Sequence, residues 1–297
     1  DQQVEKLRLR GLNADPNEMK EVLGRIGYYR FTGYAWHWYD ENQVILPGTT
    51  LQDVLDLYEF DAKLRNQILR LSQSIEVWLR GRLSNVLALE YGPMAYAEKV
   101  DIYASESAFR KDLFKLEERI NLNSKDRSPE PFIKSFRNTY IDKYPPIWMA
   151  TEVMSLGLLS KWYRNLRASE LRKRIAEPLD LQATVLESFL QVFTIYRNAA
   201  AHHSRVWNRP IAVELKRFRT LPESLSDALN VGEPYAQDRI YGVLAIASYI
   251  TKQTDPNSTV VSDLKDVLLA GNEEWLGEMD VPLGFEDLTL WSSPSQF

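Results

Sequence analysis

The sequence predicts an all-α protein: a helical bundle with a small N-terminal extension and an irregular C-terminal tail. Three observations carry that expectation. Residues 51–90 hold apolar side chains at three- and four-residue spacings and contain no proline. The stretches 181–205 and 235–252 repeat the pattern. No clean two-residue hairpin signal occurs, which leaves room for only a little β structure near the N-terminus.

The elements follow in chain order. Asp15-Pro16-Asn17-Glu18 combines a capping carboxylate with proline in the first turn and predicts a helix start. The aromatic run from Tyr28 to Tyr39 has two readings, packing in a core or interface and stacking of unpaired bases; packing is the commoner fate. Pro47-Gly48 marks a turn, and Thr49 or Thr50 can cap the helix that begins at Leu51. Tyr91-Gly92-Pro93 stops it. Further helices are expected over 106–121, 132–140, 147–167, 170–176, 181–205 and 235–252, with Pro145-Pro146 and Pro178 as separators. Residues 124–131 read as an exposed loop. Asp255-Pro256-Asn257 closes the last helix, and a polar tail with a few aromatics follows. The expected organisation is an N-terminal segment over 1–50, a helical domain over 51–255 and a tail over 256–297 packed on the bundle.

Composition narrows the function classes. With no cysteine among 297 residues there is no disulfide framework and no thiolate metal cluster, as suits a reducing cytoplasm. No run of about eighteen apolar residues predicts a membrane span. The start at Asp1, without Met, leads us to expect a trimmed N-terminus and no signal peptide. The net charge of −5 and pI near 5.5 argue against a broad nucleic-acid surface. Two basic zones argue the other way. One holds Lys161, Arg164, Arg167, Arg172, Lys173 and Arg174 against Glu170; the other holds Arg197, Arg205, Arg209, Lys216, Arg217 and Arg219 against Glu214. They read either as phosphate-attracting patches or as solvated helix faces.

The chemistry-bearing segment is Tyr196-Arg197-Asn198-Ala199-Ala200-Ala201-His202-His203-Ser204-Arg205-Val206-Trp207-Asn208-Arg209. It holds two of the chain's three histidines. On a helix from Leu181, Leu186, Leu190, Phe193 and Arg197 share one side. Arg197 and His202 then stand about 140° apart and need not reach one phosphate within one molecule; a second copy facing the first could bring both sets together. Ala199–Ala201 would let another helix approach closely, although alanine is also simply the best helix former. Histidine serves as acid or base near neutral pH, and arginine offers a charged fork to phosphate oxygens. Asn198 can orient either. The competing reading is an arginine that pairs with a buried glutamate. Adjacent histidines diverge by about 100° on a helix and cannot easily share an ion. No His-Glu-x-x-His spacing and no glycine-rich phosphate loop is present, so neither a metal site nor another cofactor is expected.

The pattern Arg-Asn-x-x-x-His resembles the active-site motif of HEPN-domain ribonucleases. The longer form through His-His-Ser-Arg-Val-Trp-Asn-Arg is similar to the signature of the Abi-like abortive-infection family (AbiD/AbiF type). Three earlier blocks extend the resemblance: Gln3 through Leu12 with Tyr28-Tyr29-Arg30-Phe31-Thr32-Gly33-Tyr34; Tyr58-Glu59-Phe60-Asp61-Ala62-Lys63-Leu64-Arg65 with Ile75-Glu76-Val77-Trp78-Leu79-Arg80; and Pro146-Ile147-Trp148-Met149-Ala150-Thr151-Glu152-Val153-Met154-Ser155-Leu156-Gly157. Met279-Asp280-Val281-Pro282 departs from the family's Met-Gly-Phe-Pro.

The resemblance implies a HEPN-type bundle that dimerises around the Arg…His helices, and a metal-independent endoribonuclease of antiviral abortive infection or a toxin system. Arg197 and His202 would be the catalytic pair, Asn198 the polar residue between them, and His203 a secondary candidate. Arg205, Arg209, Lys216 and Arg217 would meet RNA. Glu152, and less readily Glu76, would hold Arg197 or Arg205 in place. The partners implied are an RNA substrate, a second copy of the chain and a neutralising antitoxin of RNA or protein, with no membrane. The alternative is a non-catalytic HEPN-like dimeric module that binds RNA or protein.

Overall fold

A computed structural model describes residues 1–120, 130–210, 212–213, 215–216, 218, 220–229 and 239–292. Helices dominate. Among the described residues the β structure is confined to three isolated bridges, two of them in the first fifty residues. The chain divides into two compact units, Asp1–Leu64 and Arg65–Phe297.

The first unit holds α1 (Gln2–Leu9), α2 (Pro16–Ile26), α3 (Tyr28–Ala35) and the start of α4 (Leu51–Tyr91). The expected cap of α2 forms: Asp15 Oδ1 accepts from the backbone N–H of Asn17 at 2.9 Å and of Glu18 at 3.0 Å. Thr50 caps α4 reciprocally. Its N–H donates to the Asp53 carboxylate at 2.7 Å, and the Asp53 N–H donates to Thr50 Oγ1 at 3.2 Å. The aromatic run splits between its two readings. Phe31 and Tyr34 are buried, with the Tyr34 hydroxyl donating to buried Asp61 at 2.6 Å, whereas Tyr29 and Trp36 are exposed.

The second unit contains the rest of α4, then α5 (Ala95–Glu98), α6 (Glu106–Arg119), α7 (Pro131–Thr139), α8 (Ile147–Ala150), α9 (Leu156–Asn165), α10 (Ser169–Ala176), α11 (Ala183–Ala201), α12 (Glu223–Ala228), α13 (Ile240–Thr254), α14 (Val260–Leu269) and α15 (Glu273–Gly277). Within it α4 buries Ile68, Leu71, Ile75, Leu79 and Leu83 completely, at the spacing of one helical stripe. Helix α13 is buried on every face from Ile240 to Thr251, as befits an apolar segment at the centre of a unit. Helices α9 and α11 pack extensively on each other, and α6 lies against α9. The pair is antiparallel: Gly157 opens α9 beside Thr194, and the Tyr163 hydroxyl lies 3.1 Å from the Ala183 carbonyl. A Cβ on Gly157 would stand 3.2 Å from the Thr194 methyl, so glycine there permits the close approach.

Three expectations need correction. The single helix over 147–167 is broken: α8 ends in a tight turn over Thr151–Val153, and Met154 and Ser155 are extended before α9 begins. The freed Met154 carbonyl accepts from Arg80 at 3.0 Å. The helix over 181–205 stops at Ala201, four residues short. The tail is not irregular, because α14 and α15 lie in it. Its aromatics are structural: Trp275 and Trp291 are buried, and the Trp291 indole donates to the Tyr241 hydroxyl at 3.1 Å.

Candidate active site at the C-terminal end of α11

Helix α11 is apolar around most of its circumference, and Val185, Leu186, Phe189, Leu190, Val192 and Phe193 are all fully buried within the chain. Ala199 and Ala200 are buried as well, at 7% and 1% exposure. Ala199, Ala200 and the apolar stripe therefore offer no open surface to a second copy, while Ala201 is half-buried. The chain covers that face itself, and alanine there admits its own neighbours.

The helix ends in a backbone motif that determines where the histidines go. The Ser204 N–H donates to the Ala199 carbonyl at 2.8 Å and the His203 N–H to the Ala200 carbonyl at 3.0 Å, which is the Schellman arrangement. His203 occupies its left-handed position, φ 56°, normally taken by glycine. His202 is the last residue of the turn, with φ −91°. Both imidazoles are exposed. His202 still donates its N–H to the Asn198 carbonyl at 3.0 Å, and the chain leaves the helix at His203.

Arg197 sits one turn earlier, its side chain 29% exposed. It donates to Glu76 on α4 at 3.4 Å and to Asn198 Oδ1 at 3.3 Å, not to His202. Both bonds are long for a charge-assisted pair, which closes to roughly 2.7–2.9 Å. Its buried Nε has no partner among the described residues. Glu76, 12% exposed, gives its short bond to Arg80 at 2.7 Å instead. Arg80 also reaches Glu152 at 3.4 Å. Two guanidinium groups and two carboxylates thus form one balanced network in which Arg197 is the loosely held member.

The roles expected for the two glutamates are exchanged. Glu152 is 55% exposed and touches Arg80, and the buried anchor of Arg197 is Glu76. A sequence signal existed for half of this. Glu76 and Arg80 stand at i, i+4 on α4, the spacing of a helical ion pair. Arg197 is 121 positions away and carries no such signal.

The segment after the histidines is anchored rather than open. Val206 and Trp207 are buried, and the Trp207 indole donates to the Trp275 carbonyl at 3.0 Å. The Arg205 guanidinium lies 6.0 Å over the Trp207 ring. Asn208 bonds to Glu278 and accepts from Arg239 at 2.6 Å. Arg209 donates to the Arg205 carbonyl at 3.2 Å. Arg205 and Arg209 are thus half-buried and engaged with their own chain. Lys216 is exposed and its backbone N–H donates to Ser188 Oγ at 2.9 Å, while Arg217 lies outside the described residues. Tyr196, inside the same motif, is buried and pushed up to about 12 by that burial, against the opposing charges of Arg209 and Arg239. It is therefore a neutral phenol near pH 7 and no candidate base.

Beside Asn198 opens a cavity of about 720 Å³ between α6, α9 and α11, lined by Lys115, Arg119, Lys161 and Arg164 as well as small polar residues. Among the described residues no group of three His, Asp or Glu could hold a metal ion, and no helix is long and apolar enough to cross a membrane.

An all-α chain in which a buried helix delivers Arg-Asn and then paired exposed histidines to the surface defines a class of helical protein with a polar site at one helix end. A family model described as Abi-like protein matches residues 21–208, well over half of the chain and all of the Arg197–His203 segment. The chain belongs to the Abi-like family. No curated protein and no solved structure matches it.

Proposed function

We propose that this protein is a metal-independent endoribonuclease of the HEPN type, acting as a homodimer in abortive infection or as a toxin. Family membership supports the biological setting. The observation that carries the chemistry is the state of Arg197. Glu76 holds Arg80 at 2.7 Å through Oε1, while Arg197 stands 3.4 Å from the other oxygen, Oε2, longer than a closed charge-assisted pair. A guanidinium positioned but not satisfied suits a phosphate better than a permanent ion pair.

In the reaction the 2′-hydroxyl oxygen attacks the adjacent phosphorus as an imidazole removes its proton. Arg197 offsets charge on the phosphorane oxygens. The bond from phosphorus to the 5′-oxygen breaks, and an imidazolium protonates the departing oxygen. The products are a 2′,3′-cyclic phosphate and a 5′-hydroxyl. His202 is the leading acid–base group and His203 the secondary one. Asn198 holds Arg197 from the side.

A second copy completes the site in this reading. Its contact cannot be the buried face of α11. The exposed side chains of Trp148 on α8 and Val77 on α4, the latter next to Glu76, offer apolar surface for it. The second reading, a non-catalytic dimeric module, is favoured by the pairing of Arg197 with Glu76.

The deciding experiment incubates purified protein with single-stranded RNA in EDTA and determines the product ends. Cyclic phosphate ends from wild type, absent with His202→Ala, support the enzyme. Intact RNA, or metal-dependent products with 5′-phosphates, overturn it. Light scattering should give about twice the 34.5 kDa chain; an active monomer would remove the second copy from the mechanism.

A further inference from the structure

The cavity beside Asn198 is positively charged on an acidic protein. Its lining carries Lys115, Arg119, Lys161 and Arg164 against Glu118 alone, whereas the whole chain has a net charge of −5. Among the described residues no carboxylate lies at ion-pair distance from Lys161, Arg164 or Arg119. The nearest counter-charge is Asp112, 6% exposed on α6, whose Oδ1 stands 3.9 Å from Lys115 Nζ. The rest of the wall is Ser155, Gly157, Ser160, Gln191, Thr194 and Asn198 with two apolar neighbours, Leu158 and Ile195.

We propose that this cavity seats the phosphates of single-stranded RNA flanking the cut, held by Lys115, Lys161 and Arg164, with Asn198 joining that seat to Arg197. The antiparallel packing of α9 on α11 sets the spacing. Gly157 meets Thr194, one turn before Asn198 on the antiparallel α11, so Lys161 and Arg164 stand about 12 and 16 Å along the helix axes from Asn198 at roughly 1.5 Å per residue. That interval corresponds to phosphates about two or three nucleotides from Asn198. The volume exceeds what a lone phosphate needs and falls in the range that takes a nucleotide. The lysines also form a like-charge pair only partly offset by Asp112: the adjacent Lys115 ammonium, and then partial burial, lower the affinity of Lys161 for its proton. A bound phosphodiester would relieve that repulsion. The identity of the ligand rests on the ribonuclease reading; the charge of the cavity does not.

The test measures fluorescence anisotropy of a 5′-fluorescein-labelled, mixed-sequence 12-nucleotide RNA, with His202→Ala protein so that no cutting occurs, across a salt series. Adding Lys115→Gln and Lys161→Gln should weaken binding about tenfold or more at low salt. It should also reduce the slope of log affinity against log salt by about 1.4, at roughly 0.7 per lost phosphate contact. Lys173→Gln, an exposed lysine on α10, should change neither value. Arg164→Gln, at an exposed position of the cavity wall, repeats the test should the lysine pair prove necessary for folding. Wild-type affinity and slope in the lysine double variant, or in Arg164→Gln where that is the variant that folds, overturn the proposal. So does full displacement of the RNA by inorganic phosphate at a concentration equal to the RNA's own Kd, which would mark a free-phosphate site. If the lysine variants lose binding while wild type never cuts RNA, the cavity stands and the ribonuclease reading falls. If wild type cuts and the lysine variants bind and cut equally well, the cavity proposal falls alone.

Discussion

Two cationic regions flank Asn198, and they are built on opposite principles. On one side Arg80 and Arg197 meet Glu76 and Glu152, charge for charge, with Glu76 nearly buried. On the other side four cationic side chains face one exposed glutamate, with a single buried aspartate near Lys115. The balanced network fixes geometry, since hydrogen bonds to a shared carboxylate limit where a guanidinium can point. The unbalanced cavity fixes no geometry but lowers the free energy of an incoming anion. Positioning and attraction are thereby assigned to different residues, and different variants should separate them.

The largest effects should come from the positioned side. His202→Ala and Arg197→Ala should each reduce cleavage about 10²–10⁴-fold, the usual contribution of a positioned acid–base or charge-stabilising group. Affinity for RNA should change little in His202→Ala. A His202→Ala protein that folds and cuts like wild type would refute the assignment. Glu76→Gln should be next. It leaves two guanidinium groups sharing a neutral amide, and should lower Tm together with activity, with a stability loss of about 2–3 kcal/mol for this partly buried network. Glu152→Gln, more than half exposed and at 3.4 Å, should cost under about 0.5 kcal/mol. Equal losses from the two glutamates in denaturant titrations would break the contrast between anchor and bystander.

Asp112→Asn sharpens the other side. Burial raises the Asp112 carboxyl above its ordinary value despite the lysines and Arg164 around it. Over the interval from the unfolded value of about 3.9 up to the raised one, the folded state binds more protons than the unfolded state, so wild type loses stability as pH rises. Asp112→Asn escapes that loss. Its Tm advantage should be absent in acid and grow toward neutral pH, to about a degree or two, and RNA affinity should rise a few-fold. A Tm advantage confined to acid would reverse the sign and contradict the argument. The smallest effect is expected at the histidine turn. His203→Gly relieves a left-handed backbone and should stabilise by about 1 kcal/mol while lowering activity modestly. Destabilisation would show that the side chain of His203 secures the turn.

The legibility of this molecule from sequence varies with the range of the signal. Local signals were readable: the Asp15 and Thr50 caps, the long stripe of α4 and the apolar α13 all follow from neighbours within a few positions. The end of α11 was not, because nothing in Ala-His-His-Ser announces a stop; no glycine or proline stands there, and histidine occupies glycine's place. The break at Met154 has a weak cue in Gly157, and the partner of its freed carbonyl, Arg80, is 74 positions away. For the site, the Arg197–His203 segment was legible as a motif. The choice between Glu76 and Glu152 was not, since it depends on which carboxylate the fold buries. The tail was misjudged because composition alone cannot tell a polar segment with buried tryptophans from a loose one.

The indole bond from Trp207 to the Trp275 carbonyl means that kinship and foldedness have different borders. The family match ends at residue 208, yet the residues just after the histidines are seated on α15, and Asn208 is tied to Glu278 and Arg239 beyond it. A fragment cut at the edge of the matched region would keep Arg197 through Asn208 and lose the wall on which that segment is hung. Grafting the motif's span onto another helical scaffold would fail for the same reason. What is inherited as a signature is held in working shape by sequence that the signature does not include.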